Sequence, residues 1–291
     1  MWGRPPSAGA RSASHASVSV TYRGFRGEDV SAASHDRAKN GQIEAVTWNP
    51  TTGCDRVSSG CDHCYALAFA ARLKAMGNAR YQRDGDPGTS GRGFALTLHP
   101  DKLTEPLRWR RPRLVFVDSM SDLFHPGVPD DFVRDVVEVM ERADRHRFFV
   151  LTKRQGRMRS LLHRLRARPA DNVWWGTTVE ENRVSWRADA LRETPAAVRF
   201  LSLQPLLGPV PDLDLSGLDW VYVGGESGHG CRPMAASWVR DVRDRCVAAG
   251  IPFLFKQWGG RTRNAGGRVL DGRTWDELPP LPADMRTGLP D

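Results

Sequence analysis

Residues 54–65 read Cys-Asp-Arg-Val-Ser-Ser-Gly-Cys-Asp-His-Cys-Tyr and directly follow the Trp-Asn-Pro-Thr-Thr-Gly of residues 48–53. This segment, the cysteine loop (residues 54–65), carries three of the five cysteines of the chain in the spacing Cys-x6-Cys-x2-Cys. The closing Cys-x-x-Cys puts two sulfurs about one turn apart, and the Ser-Ser-Gly before it lets the first cysteine fold back toward them. Cys54, Cys61 and Cys64 are therefore predicted to hold a metal.

Three thiolates leave one ligand position of such a metal without a protein group. A [4Fe-4S] cluster usually takes four thiolates, so a cluster held by three keeps one iron that can bind a small molecule. A catalytic zinc keeps one open position in a similar way. The alternative is a structural zinc site of the Cys3His type, with His63, His99 or Cys231 as the fourth ligand. Under the first interpretation the missing cysteine marks the active site.

Five segments of the chain together resemble a known family. They are Thr-Trp-Asn-Pro-Thr-Thr-Gly with the cysteine loop (47–65), Val-Asp-Ser-Met-Ser-Asp-Leu-Phe-His (117–125), Leu-Thr-Lys-Arg (151–154), Gly-Gly-Glu-Ser-Gly (224–228) and Phe-Lys-Gln-Trp-Gly (255–259). From about residue 44 to residue 260 the chain resembles a phage-associated branch of the radical S-adenosylmethionine (SAM) superfamily with a Cys-x6-Cys-x2-Cys motif. The usual superfamily spacing is Cys-x3-Cys-x2-Cys, and its Gly-Gly-Glu usually follows the second strand instead of lying far downstream.

The resemblance implies a barrel-like fold in which the three cysteines hold a [4Fe-4S] cluster and SAM binds the open iron. One-electron reduction by an external electron donor then cleaves SAM and releases a 5'-deoxyadenosyl radical. The reaction that follows is not implied by the motifs, and no catalytic side chain is predicted.

Gly224, Gly225 and Glu226 stand where a predicted strand ends. Paired glycines let backbone amides approach an anionic or zwitterionic ligand, and the Glu226 carboxylate can take an ammonium group. A tight turn with a solvated Glu226 is the alternative. Together with the resemblance, the position predicts that Glu226 binds the amino group of SAM.

Three further residues at strand ends are candidates for cofactor binding. Ser119 and Asp122 offer a hydroxyl and a carboxylate to ribose hydroxyls or to a substrate, although the same segment is also typical of a polar turn that caps a helix. Lys153 can take a carboxylate or a phosphate, with a surface position as the alternative.

Short apolar or β-branched runs alternate with helical stretches from residue 45 onward, which is typical of βα units around a parallel sheet. Eight strands are predicted, at residues 45–48, 94–98, 114–118, 148–152, 173–178, 198–203, 220–223 and 252–256. Apolar residues keep a 3.6-residue period over residues 132–140 and 238–246, which predicts two of the helices. The fold class is therefore predicted as α/β, a single (β/α)8-like barrel, with a partial six-stranded radical-SAM barrel as the alternative.

In such a barrel the chemistry lies on the loops that follow the carboxyl ends of the strands. The polar candidates stand there: the cysteine loop, His99, Asp118, Ser119, Ser121, Asp122, Thr152, Lys153, Glu180, Glu181, Asn182, Gln204, Gly224 to Gly228, Lys256 and Gln257. This convergence favours an enzyme.

Composition divides the chain into three regions. Residues 1–43 are rich in Ser, Ala, Gly and Arg without an apolar period, and they are predicted to be disordered. Residues 44–260 are predicted to form the barrel domain. Residues 261–291 are Gly- and then Pro-rich and are predicted to be an extended C-terminal tail.

The composition also bounds the compartment. A hydrophobic content of 40% is enough for a sizeable core in 291 residues. No run of about 18 apolar residues and no apolar signal core occur, so neither membrane insertion nor Sec export is predicted and the cytoplasm is expected. Five cysteines, with three crowded together, favour metal-binding thiolates over disulfides.

The charge bears on possible partners. The 42 Lys and Arg residues against 34 Asp and Glu residues give a net charge of +8. This excess is compatible with an anionic partner, but a solvated surface in an arginine-rich composition is the favoured interpretation of the charge. The first hypothesis is thus a radical SAM enzyme that acts on a nucleic acid or nucleotide. The second is a non-catalytic, zinc-stabilised protein that binds nucleic acid. The sequence does not predict the oligomeric state.

Overall fold

The computed structural model describes residues 44–262 and 265–281 of the chain. The strands are β1 Glu44–Trp48, β2 Thr51–Thr52, β3 Thr97–Leu98, β4 Arg113–Val117, β5 Arg147–Thr152, β6 Val173–Thr178, β7 Val198–Leu203, β8 Trp220–Gly224 and β9 Phe253–Gln257. The helices are α1 Tyr65–Ala75, α2 Asp130–Arg142, α3 Gln155–Arg164, α4 Arg187–Arg192 and α5 Ala236–Ala249.

Seven of the strands form a parallel sheet that curls into a half-barrel. Their order in the sheet, β1-β4-β5-β6-β7-β8-β9, follows their order in the chain. Each parallel step needs a crossover, and helices α1 to α5 lie in five of these six crossovers. The carboxyl ends of all seven strands therefore meet at one mouth of the half-barrel.

The prediction of an eight-stranded barrel is wrong at its second strand. Of residues 94–98, only Thr97–Leu98 is extended, and it pairs antiparallel with β2 outside the main sheet. Phe94 is buried beside Tyr81 and the α1 residue Ala70, so the apolar run packs beneath a helix instead of joining the sheet. The other seven predicted strands are confirmed within about two residues of their predicted ends. The six-stranded alternative is one strand short of the observed sheet.

The outer face of the sheet packs against helices to make the main core. The predicted apolar periods are confirmed, because α2 buries Val133, Val136 and Met140, and α5 buries Val239 and Cys246. All six residues of β6 are buried, which is typical of a parallel strand covered on both faces.

The inner face carries a second apolar cluster, the aromatic floor, formed by Phe149, Trp174, Phe200, Trp220 and Tyr222. Its rings meet mostly edge to face, with centroids 4.9 Å apart between Phe149 and Trp174. Gly176 makes room for it, because a Cβ there would lie 2.3 Å from the Phe200 ring. The floor fills the first part of the half-barrel and leaves the strand ends above it for polar residues.

The C-terminal extension packs against the last strand. Phe255 N donates to Trp275 O (2.9 Å) and Glu277 N donates to Phe253 O (3.2 Å), so residues 275–277 cover the outer edge of β9. Further on, Leu281 is buried against the aromatic floor. Within the described residues the predicted tail is thus extended but packed on the sheet.

The predicted disorder of residues 1–43 lies outside the described residues. Across residues 44–262 and 265–281, no helix is both long and apolar enough to cross a membrane.

Candidate functional site at the mouth of the half-barrel

A cavity of about 620 Å³ opens at the carboxyl ends of the strands. This volume lies in the range of small-molecule sites, about 300 to 1,000 Å³. All three cysteines of the cysteine loop line it. Of the other predicted site residues, Ser119, Asp122, Lys153, Gly225 and Glu226 also line it, whereas Gly224 lies just behind them at the end of β8.

Two of the three thiols, those of Cys54 and Cys64, are poorly solvated. Burial raises the pKa of Cys54 to about 12, helped by the Asp122 carboxylate and opposed by Arg154. Burial likewise raises the pKa of Cys64, which stands at the start of α1. Cys61 is close enough to raise the pKa of both thiols. Ionised sulfurs at this site need compensating positive charge, which fits a bound metal or cluster.

No ready single-ion site accompanies these thiols. Among the residues that the structure describes, no three His, Cys, Asp or Glu side chains are grouped so that they could hold one metal ion. Two of the candidate fourth ligands of the zinc alternative bind elsewhere. His63 Nδ1 lies 3.0 Å from Glu226 Oε2, and His99 Nε2 lies 2.9 Å from Thr52 Oγ1. The cysteine ligand set stays a prediction.

The first end of the cysteine loop is anchored through Asp55. His125 Nε2 lies 2.7 Å from one Asp55 oxygen, and Thr89 Oγ1 donates to the other at 2.7 Å. Gly127 N donates to His125 Nδ1 (3.1 Å), so Nε2 carries the proton that is donated to Asp55. The backbone next to Cys54 is therefore held from two sides.

The middle of the loop is anchored on the segment after β6. Ser58 Oγ donates to Glu180 Oε1 (2.6 Å), and Ser59 Oγ donates to Glu181. Glu180 is fully buried and pairs with Arg187 at 2.9 Å. A Cβ at position 60 would lie 2.5 Å from the Glu180 side chain, so any larger residue there would have to displace Glu180. The longer first gap of the motif is thus a folded, supported turn.

Glu226 contacts the cysteine loop directly. Its carboxylate accepts hydrogen bonds from the backbone N (2.9 Å) and the guanidinium of Arg232, and it meets His63. Burial works against ionisation, but the bonds from Arg232 and His63 outweigh it and lower the pKa of Glu226. Arg232 Nη2 also donates to Ser59 O (2.8 Å). Glu226 therefore already has cationic and amide partners before any ligand binds.

The glycines beside it serve packing. A Cβ at Gly225 would lie 1.9 Å from Trp258 O, and Gly225 N donates to Gln257 O at 2.9 Å. The close approach of β8 to the segment after β9 thus uses the backbone amide that the sequence suggested for ligand binding.

The Asp122 carboxylate accepts several hydrogen bonds at the mouth. It accepts hydrogen bonds from Thr152 Oγ1 (2.7 Å), Phe124 N (3.0 Å), Lys153 N (3.3 Å) and Arg154 Nη1 (2.9 Å). The Lys153 ammonium lies 3.5 Å from Glu180 Oε1. Nearby, Ser119 Oγ donates to Asn49 Oδ1 at 3.1 Å. Most predicted polar residues of the mouth are therefore already linked to one another.

Sequence reasoning missed Arg154 and Arg232, the two arginines that reach the cysteine loop. Arg154 Nη1 lies 3.3 Å from Cys54 Sγ, and Arg232 bridges Glu226 to Ser59. Arg154 directly follows Lys153 after the end of β5, so its place at a strand end could have indicated that it belongs to the site. Nothing local in the sequence indicates that Arg232 folds back onto a glutamate six residues before it.

The comparisons with known proteins bear on the family. No curated protein matches the chain. A solved structure, "Spore photoproduct lyase complexed with dinucleoside spore photoproduct", is similar at a TM-score of 0.39 and 13% sequence identity, with 67% of this chain covered. The chain spans 59% of the length of that structure. A family model matches residues 40–279. The chain therefore belongs to the family described as "Protein of unknown function (DUF5131)".

Proposed function

We propose that the protein is a radical SAM enzyme in which Cys54, Cys61 and Cys64 hold a [4Fe-4S] cluster at the mouth of the half-barrel. The observation that carries the proposal is that all three thiols line one cavity at the carboxyl ends of parallel strands, where α/β barrels place their chemistry. The sequence resemblance supports the same conclusion. A [4Fe-4S] cluster held by three cysteines supplies an open iron for SAM and the electron that cleaves it.

The residues of the chain supply positioning and protection. Asp55 and the serines of the cysteine loop keep the three thiols facing the cavity through His125, Glu180 and Glu181. The aromatic floor and the apolar inner wall close the cavity below, which keeps water away from a reactive ligand. The protein thus orients the cofactors, and the cofactors carry the difficult chemistry.

SAM is proposed to bind along the wall formed by Ser119, Asp122, Lys153, Gly225 and Glu226, with Gly224 behind it. Glu226 can take the SAM ammonium only by exchanging a partner, and His63 is the partner that can leave. The His63 side chain is 41% exposed, whereas that of Glu226 is 4% exposed. We infer that His63 turns outward when SAM binds, while Arg232 keeps the carboxylate in place.

A nucleic acid or nucleotide is proposed as the substrate. Support comes from the net charge of +8, which attracts anionic partners. The cavity itself carries both signs of charge, with Lys153, Arg154 and Lys256 beside Asp55, Asp118, Asp122 and Glu226. An external electron donor is implied by the same chemistry.

Metal analysis of anaerobically purified protein tests the proposal. About four irons per chain and a brown colour are expected if a [4Fe-4S] cluster is present. Colourless protein with one zinc per chain would contradict the proposal and favour the zinc-stabilised nucleic-acid-binding protein.

A further inference from the structure

Arg154 makes a three-way contact that joins a cysteine, an aspartate and the backbone of the cysteine loop. Its Nη1 lies 3.3 Å from Cys54 Sγ and 2.9 Å from Asp122 Oδ2, and its Nη2 donates to Asp55 O at 3.0 Å. The guanidinium fork is planar and presents its N–H groups in fixed directions. The Arg154 guanidinium therefore contacts both the Cys54 sulfur and the Asp55 carbonyl next to it.

The arginine is held in place independently of any metal. Its side chain is 11% exposed and that of Asp122 is 7% exposed. Arg154 N donates to Thr152 Oγ1 at 2.8 Å, and the same hydroxyl donates to Asp122 Oδ1 at 2.7 Å. Asp122 and Arg154 thus form a rigid pair at the end of β5, with the positive member next to the sulfur.

We propose that Arg154, positioned by Asp122, sets the reduction potential of the cluster through its hydrogen bond to the Cys54 thiolate. This inference rests on the proposed function. Net charge and hydrogen bonds to the sulfurs are among the factors that set iron–sulfur potentials. A cation that donates to a ligand sulfur stabilises the more negative, reduced cluster, so it raises the potential and eases electron entry from the external donor.

Asp122 fixes the direction in which Arg154 points. Its Oδ2 accepts hydrogen bonds from Arg154 Nη1 at 2.9 Å and from Lys153 N at 3.3 Å. Because the Arg154 charge is held next to the Cys54 sulfur, removal of that charge should lower the reduction potential. A merely structural role for Arg154 predicts loss of iron with no shift of the midpoint in the cluster that remains.

The test is an anaerobic potentiometric titration of the reconstituted cluster, followed by electron paramagnetic resonance, with iron content measured alongside. Arg154→Gln is expected to move the midpoint to a more negative value, whereas Arg154→Lys keeps the positive charge and should stay near the wild-type midpoint. Arg240→Gln is the matched control, since the Arg240 side chain on α5 is 50% exposed and pairs with Asp271 instead of a cysteine. It removes the same charge and should leave the midpoint nearly unchanged.

The outcomes separate this inference from the proposed function. Wild-type protein that takes up no cluster would overturn both. If the wild type loads its cluster, an Arg154→Gln variant that also loads but keeps or raises the wild-type midpoint would overturn the inference alone. If Arg154→Gln loses its iron, Arg154→Lys keeps the positive charge and should load with a midpoint near that of wild type. Loss of iron from the lysine variant as well would show a role in cluster retention and overturn the tuning role.

Discussion

The mouth and the floor of the cavity are built from the same strands but by different physics. In β6, Trp174 belongs to the aromatic floor, and Thr178, four residues later on the same face, lines the mouth. The floor is held by apolar burial and ring contacts, which tolerate small shifts. The mouth is held by directed hydrogen bonds and ion pairs, as between Asp122 and Arg154. Along a strand such as β6, the residues that stabilise the fold therefore lie in the floor, and the residues proposed to serve the chemistry lie at the mouth.

The largest expected effect is the loss of the cluster when one of its cysteine ligands is replaced. Replacement of Cys54, Cys61 or Cys64 by Ala should abolish cluster retention, because the cluster would keep only two protein ligands. Cys246→Ala is the control, since Cys246 is buried in α5 on the far side of the sheet. It should keep full iron and lose about 1 to 3 kcal/mol of stability, as a small buried truncation does. A loop variant with wild-type iron content would show that the ligand assignment is wrong.

The second effect is a loss of stability when one ring of the aromatic floor is removed. Trp174 is 1% exposed, so Trp174→Ala should cost about 3 to 5 kcal/mol in the free energy of unfolding, measured by urea denaturation. Trp186 is 54% exposed, and Trp186→Ala should stay within about 0.5 kcal/mol of wild type. Equal losses in the two variants would contradict the packing role of the floor.

The third effect is a loss of affinity for SAM at the mouth. Glu226→Gln removes the charge that is proposed to bind the SAM ammonium, and a charge-assisted hydrogen bond contributes about 1.5 to 3 kcal/mol. Affinity for SAM, measured by anaerobic calorimetry, should fall by about ten- to a hundredfold with iron unchanged. His63→Ala removes the competing partner, so its affinity should equal or exceed that of wild type. Unchanged affinity in Glu226→Gln would remove Glu226 from the SAM site.

The last prediction concerns the pH dependence of stability. Burial raises the pKa of Asp118, at the end of β4, from 3.8 to about 8. The folded protein keeps this proton while the unfolded chain ionises, so the contribution of Asp118 to stability is lost as the pH rises from about 4 to about 8. Asp118 has a positive φ of 52°, which Asn also tolerates.

Asp118→Asn should therefore gain stability relative to wild type across that pH interval. Urea unfolding of both proteins at the two ends of the interval measures the change. A stability difference that does not vary with pH would show that Asp118 titrates normally in the folded protein.

The sheet could be predicted from sequence because its seven strands are short apolar runs. Some of them bury both faces, as in Val173–Thr178, whereas β1 is partly exposed. The run at residues 94–98 misled because an apolar segment of that length also suits a buried loop. The three cysteines and the strand-end positions of the mouth could be predicted too. Their pairing could not, since Ser58 meets Glu180 across 122 residues. Such contacts depend on how the half-barrel curls, which no local pattern encodes.

Reductive cleavage of SAM tests the central claim most directly. Reconstituted protein would be incubated anaerobically with SAM and dithionite, and 5'-deoxyadenosine would be measured by liquid chromatography. The account predicts release of 5'-deoxyadenosine by the wild type and none by Cys61→Ala. A wild type that carries its cluster but neither binds nor cleaves SAM would contradict the account.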